Sequence, residues 1–360
     1  MALPARDSYA TVVAGAGPAG ILAAIHAAQR GPVLLAETGP IPRSKSCGGM
    51  LHTLALDTLA EYGTVPEDIV LAPRTVRFRY YDWDRQIRKE TDTEFLNVDR
   101  AGFDHWLLGL LPDSVEVVDR TSVVGFAQDE TGLLVDLETA DGPRQVRGDL
   151  LVGADGARSQ VRRTLAISDS SSYVTLQDFV TLEGELDPVF DCIYMRDIGD
   201  EFAYAYVVPK GPVAIVGSVF YPRTRRPWQK QDQVLDLLRT RLPQLGESRL
   251  REASAALHLR SGDDILPGHR RVLLAGEAGG FMSPTSGEGI SWALRTGRAA
   301  GIAAAGDPAS ALDRYTAAVA PVVADLHRRF RWLPLMESRA GKYIAGFVPT
   351  PIVSRVTRGL

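Results

Sequence analysis

Only two cysteines, Cys47 and Cys192, occur in 360 residues. That is too few for a disulfide framework or a four-thiolate metal site. No uncharged apolar run approaches the ~20 residues that a membrane-spanning helix needs. Charge of one sign is missing too: 40 basic against 44 acidic residues leave a net of −4. That balance carries none of the basic excess a nucleic-acid partner requires. His26, His105 and His327 sit on predicted helices without partner spacing and read as structural or surface residues, so no metal site is expected. No internal repeat or low-complexity tract appears. The first apolar strand starts so early that a signal peptide has no room, and the sequence predicts a cytoplasmic protein.

What the chain does have is glycine in organised places. Ala10 to Ala14 reads as a short apolar strand, and Gly15-Ala16-Gly17-Pro18-Ala19-Gly20 follows it. Gly15 allows a tight turn, Gly17 lets backbone approach a pyrophosphate, and Gly20 permits close helix–strand packing. The phosphate would sit on the unpaired N–H groups of the helix that follows. That helix carries Ile21, Leu22, Ala24, Ile25 and Ala28 and is expected to end at Gly31. A second strand, Val33 to Ala36, delivers Glu37 at the spacing where an acidic residue meets ribose hydroxyls. The alternative for Glu37 is an exposed carboxylate at a strand end. Strand, glycine turn, helix and acidic residue in register predict a dinucleotide site.

Two more glycine strips come later. Asp149 to Ser159 contains a buried strand at Leu150–Val152 and then Gly153-Ala154-Asp155-Gly156. Ala275-Gly276-Glu277-Ala278-Gly279-Gly280 is followed by Pro284 and Gly287-Glu288-Gly289-Ile290. Between the strips the pattern is interleaved. Met50 to Tyr62 reads as a helix closed by Gly63. Residues 75–88 read as a hairpin with Val76, Phe78 and Tyr80 on one face. Val115–Val118, Val123–Phe126 and Leu133–Leu137 read as short strands. From about 173 to 261 longer alternating strands take over, with Pro209-Lys210-Gly211-Pro212 as a hairpin turn. A helix with Val234, Leu235, Leu238 and Leu242 on one face follows. The expected fold is α/β: a Rossmann-like nucleotide domain (1–70, 97–172 and 262–330) interleaved with an antiparallel-sheet substrate domain (71–96 and 173–261). A C-terminal segment, 331–360, is broken by prolines and glycines.

The three strips together with Arg100-Ala101-Gly102-Phe103-Asp104 resemble the para-hydroxybenzoate hydroxylase-type flavoproteins. Within that class the chain is most similar to the geranylgeranyl reductase family. Pro42-Arg43-Ser44-Lys45-Ser46-Cys47-Gly48-Gly49 matches that family's proline-x-x-lysine-x-cysteine-glycine-glycine loop. Tyr204-Ala205-Tyr206-Val207-Val208-Pro209-Lys210-Gly211 resembles its aromatic strand ending in proline-lysine-glycine. The chain departs at Glu277, where the family has aspartate, at Tyr206 for tryptophan and at Val208 for phenylalanine. Its C-terminal region is also shorter. The resemblance implies FAD, held by Gly15, Gly17, Pro18, Ala19, Gly20, Glu37, Arg43, Lys45, Gly48, Gly49, Arg100, Asp155, Gly156, Gly276, Glu277, Pro284, Gly287, Gly289 and Ile290. It places Glu277 on a ribityl hydroxyl. It also aims the helix at Ile290 at the flavin's N1–C2 carbonyl edge, where about half a positive charge would stabilise negative charge.

Cys47 is the catalytic candidate: by the resemblance it borders the flavin ring and could donate a proton to substrate, the alternative being a small packing residue in a tight loop. Cys192 reads as packing. Tyr204, Tyr206 and Phe220 are substrate-lining candidates beside Trp83, with core packing as the alternative. The inner face of the late helix, from Ile290 through Gly297 and Gly301, is small and suits close packing on a sheet. Lys210 reads as a solvated hairpin residue, the alternative being contact with cofactor or substrate. Arg223 to Arg226 and Arg328 to Trp332 offer weak peripheral contact with anionic lipid, against a solvated face as the alternative. The lead function is reduction, by reduced FAD, of a carbon–carbon double bond in an apolar, isoprenoid-like substrate. Oxygenation of an aromatic or polyketide-like metabolite and a non-catalytic prenyl-binding escort stay open. The electron donor is NAD(P)H, another donor or a reductase partner.

Overall fold

The computed structural model describes residues 3–42, 45–165, 171–334, 338, 341, 344 and 347–351. The chain opens with β1 (Ser8–Ala14), α1 (Pro18–Ala27) and β2 (Val33–Ala36), then β3 (Met50–His52) and α2 (Thr53–Leu59). The long hairpin β4 (Val70–Asp82) and β5 (Ile87–Val98) leads to α3 (Arg100–Leu108). Four strands follow, β6 (Val115–Val118), β7 (Ser122–Gln128), β8 (Leu133–Thr139) and β9 (Gly142–Gly153), then α4 (Gln160–Thr164). Next come β10 (Ser172–Leu182), β11 (Val189–Tyr194), β12 (Phe202–Lys210), β13 (Val213–Phe220), α5 (Pro227–Arg239) and β14 (Leu245–Leu257). The described elements end with β15 (Gly268–His269), β16 (Val272–Leu274), α6 (Ile290–Ala304) and α7 (Ala311–Phe330).

The first sheet runs β15-β16-β9-β1-β2-β6, with β8 attached along β9 and β7 along β8. Its centre is parallel: β1 pairs with β2 on one side and β9 on the other, and β9 pairs with β16. Parallel strands covered on both faces read as continuous apolar runs rather than alternations, and these do. Val13, Leu35, Val152 and Leu273 meet the helices α1, α2, α3, α6 and α7. Their neighbours Val12, Leu34, Leu151 and Leu274 pack instead with β7, β8 and Val161 of α4.

The second sheet has the order β14-β10-β13-β12-β11-β4-β5-β3. It is antiparallel apart from the β11–β4 pair, which is parallel. Arg79 on β4 is buried there and forks onto Asp191 of β11 through Nε–Oδ1 at 2.5 Å and Nη2–Oδ2 at 2.7 Å. A bidentate guanidinium–carboxylate pair fixes orientation as well as position, which suits a seam without a hairpin to set its register. One face of this sheet packs on α5 through Val180, Ile193, Val207, Val216, Val234 and Leu238. The other face carries Phe95, Tyr206, Val208 and Val219 and looks toward the first sheet's strand ends.

Three local expectations change. Met50–His52 is a strand on β5, with Met50 beside Asn97, and only from Thr53 does the chain turn helical. The first helix stops at Ala27, short of Gly31. The small face of α6 packs against α1 rather than directly on the sheet. A Cβ on Gly297 would overlap the carbonyl oxygen of Ala19, and one on Gly301 that of Ala23. Backbone therefore lies against backbone along the α1–α6 crossing, and the sheet lies beyond α1.

Candidate functional site

A cavity of about 790 Å³ lies where the carboxyl ends of β1, β2 and β9 face the second sheet. Ligands of open α/β sheets bind outside the carboxyl ends of the strands, and the volume lies within the range of small-molecule sites. All three glycine strips meet there. Ala14, Gly15, Gly17, Pro18 and Ala19 line it from the first, Ala154 to Ala157 from the second, and Gly276, Glu277 and Pro284 to Ile290 from the third. Glu37, Lys45 to Met50 and Arg100 complete that end. Of the residues singled out from sequence, Gly20 and Phe220 do not line the cavity. Arg43 lies outside the described residues.

Gly15 sits at φ +96°, and a Cβ there would come within 2.5 Å of the Ala154 carbonyl oxygen. The turn thus requires glycine and holds the first strip against the second. Gly20 serves packing, since a Cβ on it would overlap the Gly15 carbonyl. The α1 N-terminus has Gly17 as N-cap, Pro18 at its first position, no side-chain cap and no acidic residue in its first turn. An uncapped helix end facing a cavity is an anion site in waiting. The α6 N-terminus likewise has a glycine N-cap, Gly289, without a side-chain cap of its own.

The acidic residues are already engaged. Glu37 accepts from Ala16 N–H at 2.8 Å and from Gly39 N–H at 3.0 Å, so it braces the first strip from the end of β2. Asp155 accepts from Ser159 Oγ at 2.5 Å and Gln160 N–H at 2.7 Å, so its carboxylate caps α4. Burial outweighs those hydrogen bonds and holds the Asp155 carboxyl above its ordinary range. Glu277 accepts from Leu257 N–H at 2.8 Å, and its second oxygen stands 3.7 Å from Lys45 Nζ. Glu288 caps α6 by accepting from Ser291 N–H at 2.8 Å, while its Oε2 is buried with no hydrogen-bond partner. Burial pushes this carboxyl up as well.

Cys47 stands between the glycine strips and an aromatic wall. Burial pushes its thiol up, but the Arg100 guanidinium, the Gly49 N–H and the Lys45 ammonium outweigh it, and the net shift is downward. Arg100 is itself buried and forks onto Asp104, Nε–Oδ1 2.9 Å and Nη2–Oδ2 3.3 Å. The wall consists of Phe78, Phe95, Phe190, Tyr194, Tyr204 and Tyr206, with Met50 beside them and Tyr173 and Tyr221 further along. Tyr206 is pinned: its hydroxyl accepts from Gln177 Nε2, and its ring lies where a side chain on Gly217 would be. Burial raises the phenols of Tyr204 and Tyr206, which stay neutral.

Phe220 belongs elsewhere. It is 0% exposed and packs edge-on to Phe202 in the core under α5. Strand alternation sends Val219 to the cavity and Phe220 to the opposite face. Trp83 is buried in the same α5 core, under the Arg241 guanidinium. Lys210 reverses its expectation altogether. It is 5% exposed, and its Nζ donates to the carbonyls of Gly49 at 2.8 Å and Val98 at 3.0 Å. The period-2 pattern already carried this signal, since residues 204, 206, 208 and 210 share one face of β12. Arg158, near the end of the second strip, lines the cavity too; Gln160 and Arg163 join it beside Ser122 and Val123, and no motif marked those two.

The sequence model of the FAD binding domain family matches residues 8–329. The chain belongs to that family and is an FAD-dependent oxidoreductase of the para-hydroxybenzoate hydroxylase type. Protein CbrA of Escherichia coli O9:H4 (strain HS) is 28% identical over 299 residues, covering 80% of this chain and 79% of that protein. The geranylgeranyl bacteriochlorophyll reductase-like protein of Thermoplasma acidophilum superposes with a TM-score of 0.82 over 97% of this chain and 92% of its own, at 19% identity. The anhydrotetracycline hydroxylase OxyS of Streptomyces rimosus superposes at 0.67 over 98% and 75%, at 21% identity. These structural likenesses establish the fold.

The residues present fit FAD. An uncapped helix end and the Gly15 turn suit a pyrophosphate, and the orphaned Glu288 Oε2 leaves a buried polar group for a ligand to satisfy. Gly17 and Ala19 would hold the pyrophosphate, Glu37 the adenosine ribose, and Glu277 with Lys45 the ribityl region. FAD supplies two-electron transfer when bound; the chain supplies position, exclusion of water and protons. Among the described residues no helix is long and apolar enough to cross a membrane, and no cluster of metal-ligating side chains occurs.

Proposed function

We propose that this FAD-dependent oxidoreductase reduces a carbon–carbon double bond of an apolar, isoprenoid-like substrate, with Cys47 giving the proton. The observation that carries this reading is the setting of Cys47. Its thiol, its acidity raised by Arg100 and the Gly49 N–H, lies in a cavity whose far wall is aromatic. Saturating a double bond needs a hydride on one carbon and a proton on the next. A thiol held below its ordinary pKa by a neighbouring guanidinium gives up its proton more readily than a free one, which suits it as a general acid. Phe78, Phe95 and Phe190 offer a chain of methyl-branched carbons only dispersion and burial, as such a substrate requires.

The aromatic wall also favours a second reading. Five tyrosines, Tyr173, Tyr194, Tyr204, Tyr206 and Tyr221, line the cavity, and their hydroxyls suit a phenolic or polyketide-like substrate that is oxygenated. The two readings part at Cys47, because oxygen insertion asks no proton of it. With geranylgeraniol in detergent micelles as the probe, anaerobic single-turnover reoxidation of the reduced enzyme should proceed in the wild type. It should slow by about 10²–10⁴-fold in Cys47→Ala, the contribution of a positioned acid, with FAD binding retained. Cys47→Ser should fall between them. Equal rates in all three proteins would remove Cys47 from the chemistry. Reoxidation by oxygen but never by the isoprenoid would replace the reductase reading with oxygenation.

A further inference from the structure

The most unusual side chain in the molecule is the lysine that closes β12. Lys210 is buried, yet no carboxylate pairs with it at hydrogen-bond distance among the described residues; its Nζ is given to two backbone carbonyls, Gly49 O and Val98 O. Those carbonyls belong to the two segments that assemble the thiol site. Gly49 ends the loop that bears Cys47, and its N–H draws the thiol's pKa down. Val98 ends β5, two residues before Arg100, whose guanidinium draws the thiol's pKa down most strongly. The two segments also touch directly, through Val98 N–H to Gly49 O at 2.9 Å. Asn97 supports the same junction by donating from Nδ2 to Pro73 O at 2.9 Å and Pro209 O at 3.0 Å. Gly49 sits at φ +59°, and a Cβ on it would stand 2.9 Å from Lys210 Nζ. The amine thus occupies the space that glycine leaves.

We infer that Lys210 is a positioning residue for Cys47: by bridging Gly49 and Val98 it holds the Cys47 loop in register with Arg100, and so sets how readily the thiol gives up its proton. The two carbonyls use two of the amine's hydrogens, which the neutral amine supplies as well as the ammonium. Burial draws Lys210 down to about 7, against the opposing pull of Cys47 and Asp99. The ionisable groups around the pair come from every neighbouring element: Lys45 and Cys47 from the loop, Asp99, Arg100 and Asp104 at α3, and Tyr204 and Tyr206 on β12. Lys210 and Cys47 are then coupled: a thiolate favours the ammonium, and the bridge favours the thiolate.

This assignment concerns the thiol and not the reaction, so it holds for either reading above and is tested without substrate. On the FAD-loaded enzyme, the alkylation rate of Cys47 by iodoacetamide is followed against pH by peptide mass, with Cys47→Ala as blank. Alkylation tracks the thiolate fraction. In Lys210→Met, which keeps the stem and loses the amine, the profile should move up by about one unit, so the rate below the midpoint falls about tenfold. A second readout needs neither reagent access nor a Lys210 variant. In protein carrying 13C-labelled lysine, Lys210 should titrate close to neutrality, and Cys47→Ala should lower its midpoint, because coupling is reciprocal. An unchanged alkylation profile in folded Lys210→Met overturns the assignment. So does a Lys210 resonance that titrates like an ordinary lysine or ignores the loss of Cys47.

Discussion

Glu277 shows how one methylene can be spent. Its position in the third glycine strip resembles one at which related flavoproteins place aspartate, and here the longer side chain reaches Leu257 N–H at the end of β14. The strip is thereby tied to the second sheet, while the other carboxylate oxygen faces Lys45 across the cavity. Glu277→Ala should therefore lose a charge-assisted contact worth roughly 1.5–3 kcal/mol, and FAD affinity by titration should fall about tenfold or more. Glu277→Gln separates the two roles. It keeps an acceptor for Leu257 but not the charge, so recovery of affinity in Gln would assign the effect to the hydrogen bond. Unchanged affinity in Ala would leave Glu277 as a brace between sheets. Single residues were the hardest level to read from sequence. The glycines were legible because each permits a backbone that other residues resist. Phe220 misleads because strand parity outranks aromatic identity, and Lys210 because its place on the Tyr204 face outranks its turn chemistry.

The crossing of α1 and α6 ties the uncapped α1 end of the cavity to the Glu288-capped N-terminus of α6. Ala19 contributes to the cavity and also meets Gly297, so the spacing of these helices is the spacing of their N-termini. Gly297→Val would force the helices apart. Overpacking of this kind costs about 1–3 kcal/mol, which should lower the Tm by several degrees and weaken FAD retention in the same variant. A wild-type Tm and FAD affinity in Gly297→Val would show that the crossing can relax without moving either helix end. The helices were legible as helices from their periodicity, and α6 showed its small face plainly. Its partner was not, because a small face fits a sheet and a helix equally well until topology decides. The β3 segment stays hidden for a related reason: three strand residues run straight into α2, and so short an apolar stretch has no period of its own.

At the scale of the whole molecule, FAD joins parts that the chain builds far apart. The cavity draws on both sheets and all three strips, so binding should stabilise the fold by mass action, about 2.7 kcal/mol when free FAD is 100 times its Kd. The Tm should rise with added FAD in the wild type, which should purify yellow. In Gly17→Val, where a side chain would block backbone approach at the first strip, the protein should be colourless and its Tm insensitive to FAD. An FAD-dependent rise in that variant would mean that the cofactor is held without the first strip. The alternation of the chain between the two sheets shows in the sequence as a change of period. The parallel seam between β11 and β4 was not, because strand pairing across such separations leaves no local mark.

The register of β1 has a consequence for how this protein comes into being. Thr11 lies beside Leu150, and Leu151 beside Val272, so the sheet that begins at the N-terminus gains its middle strand late and its β16 side later still. Pairings between remote segments make folding slow. During synthesis the first glycine strip emerges with nothing to complete it, and the partly made chain exposes apolar strand edges of the kind that aggregate. A fragment ending before β16 would carry the most recognisable nucleotide-binding motif in the sequence and still lack the third wall of its cavity. For this chain, cofactor capture should wait until the third glycine strip and the N-terminus of α6 have been made, because both line the cavity.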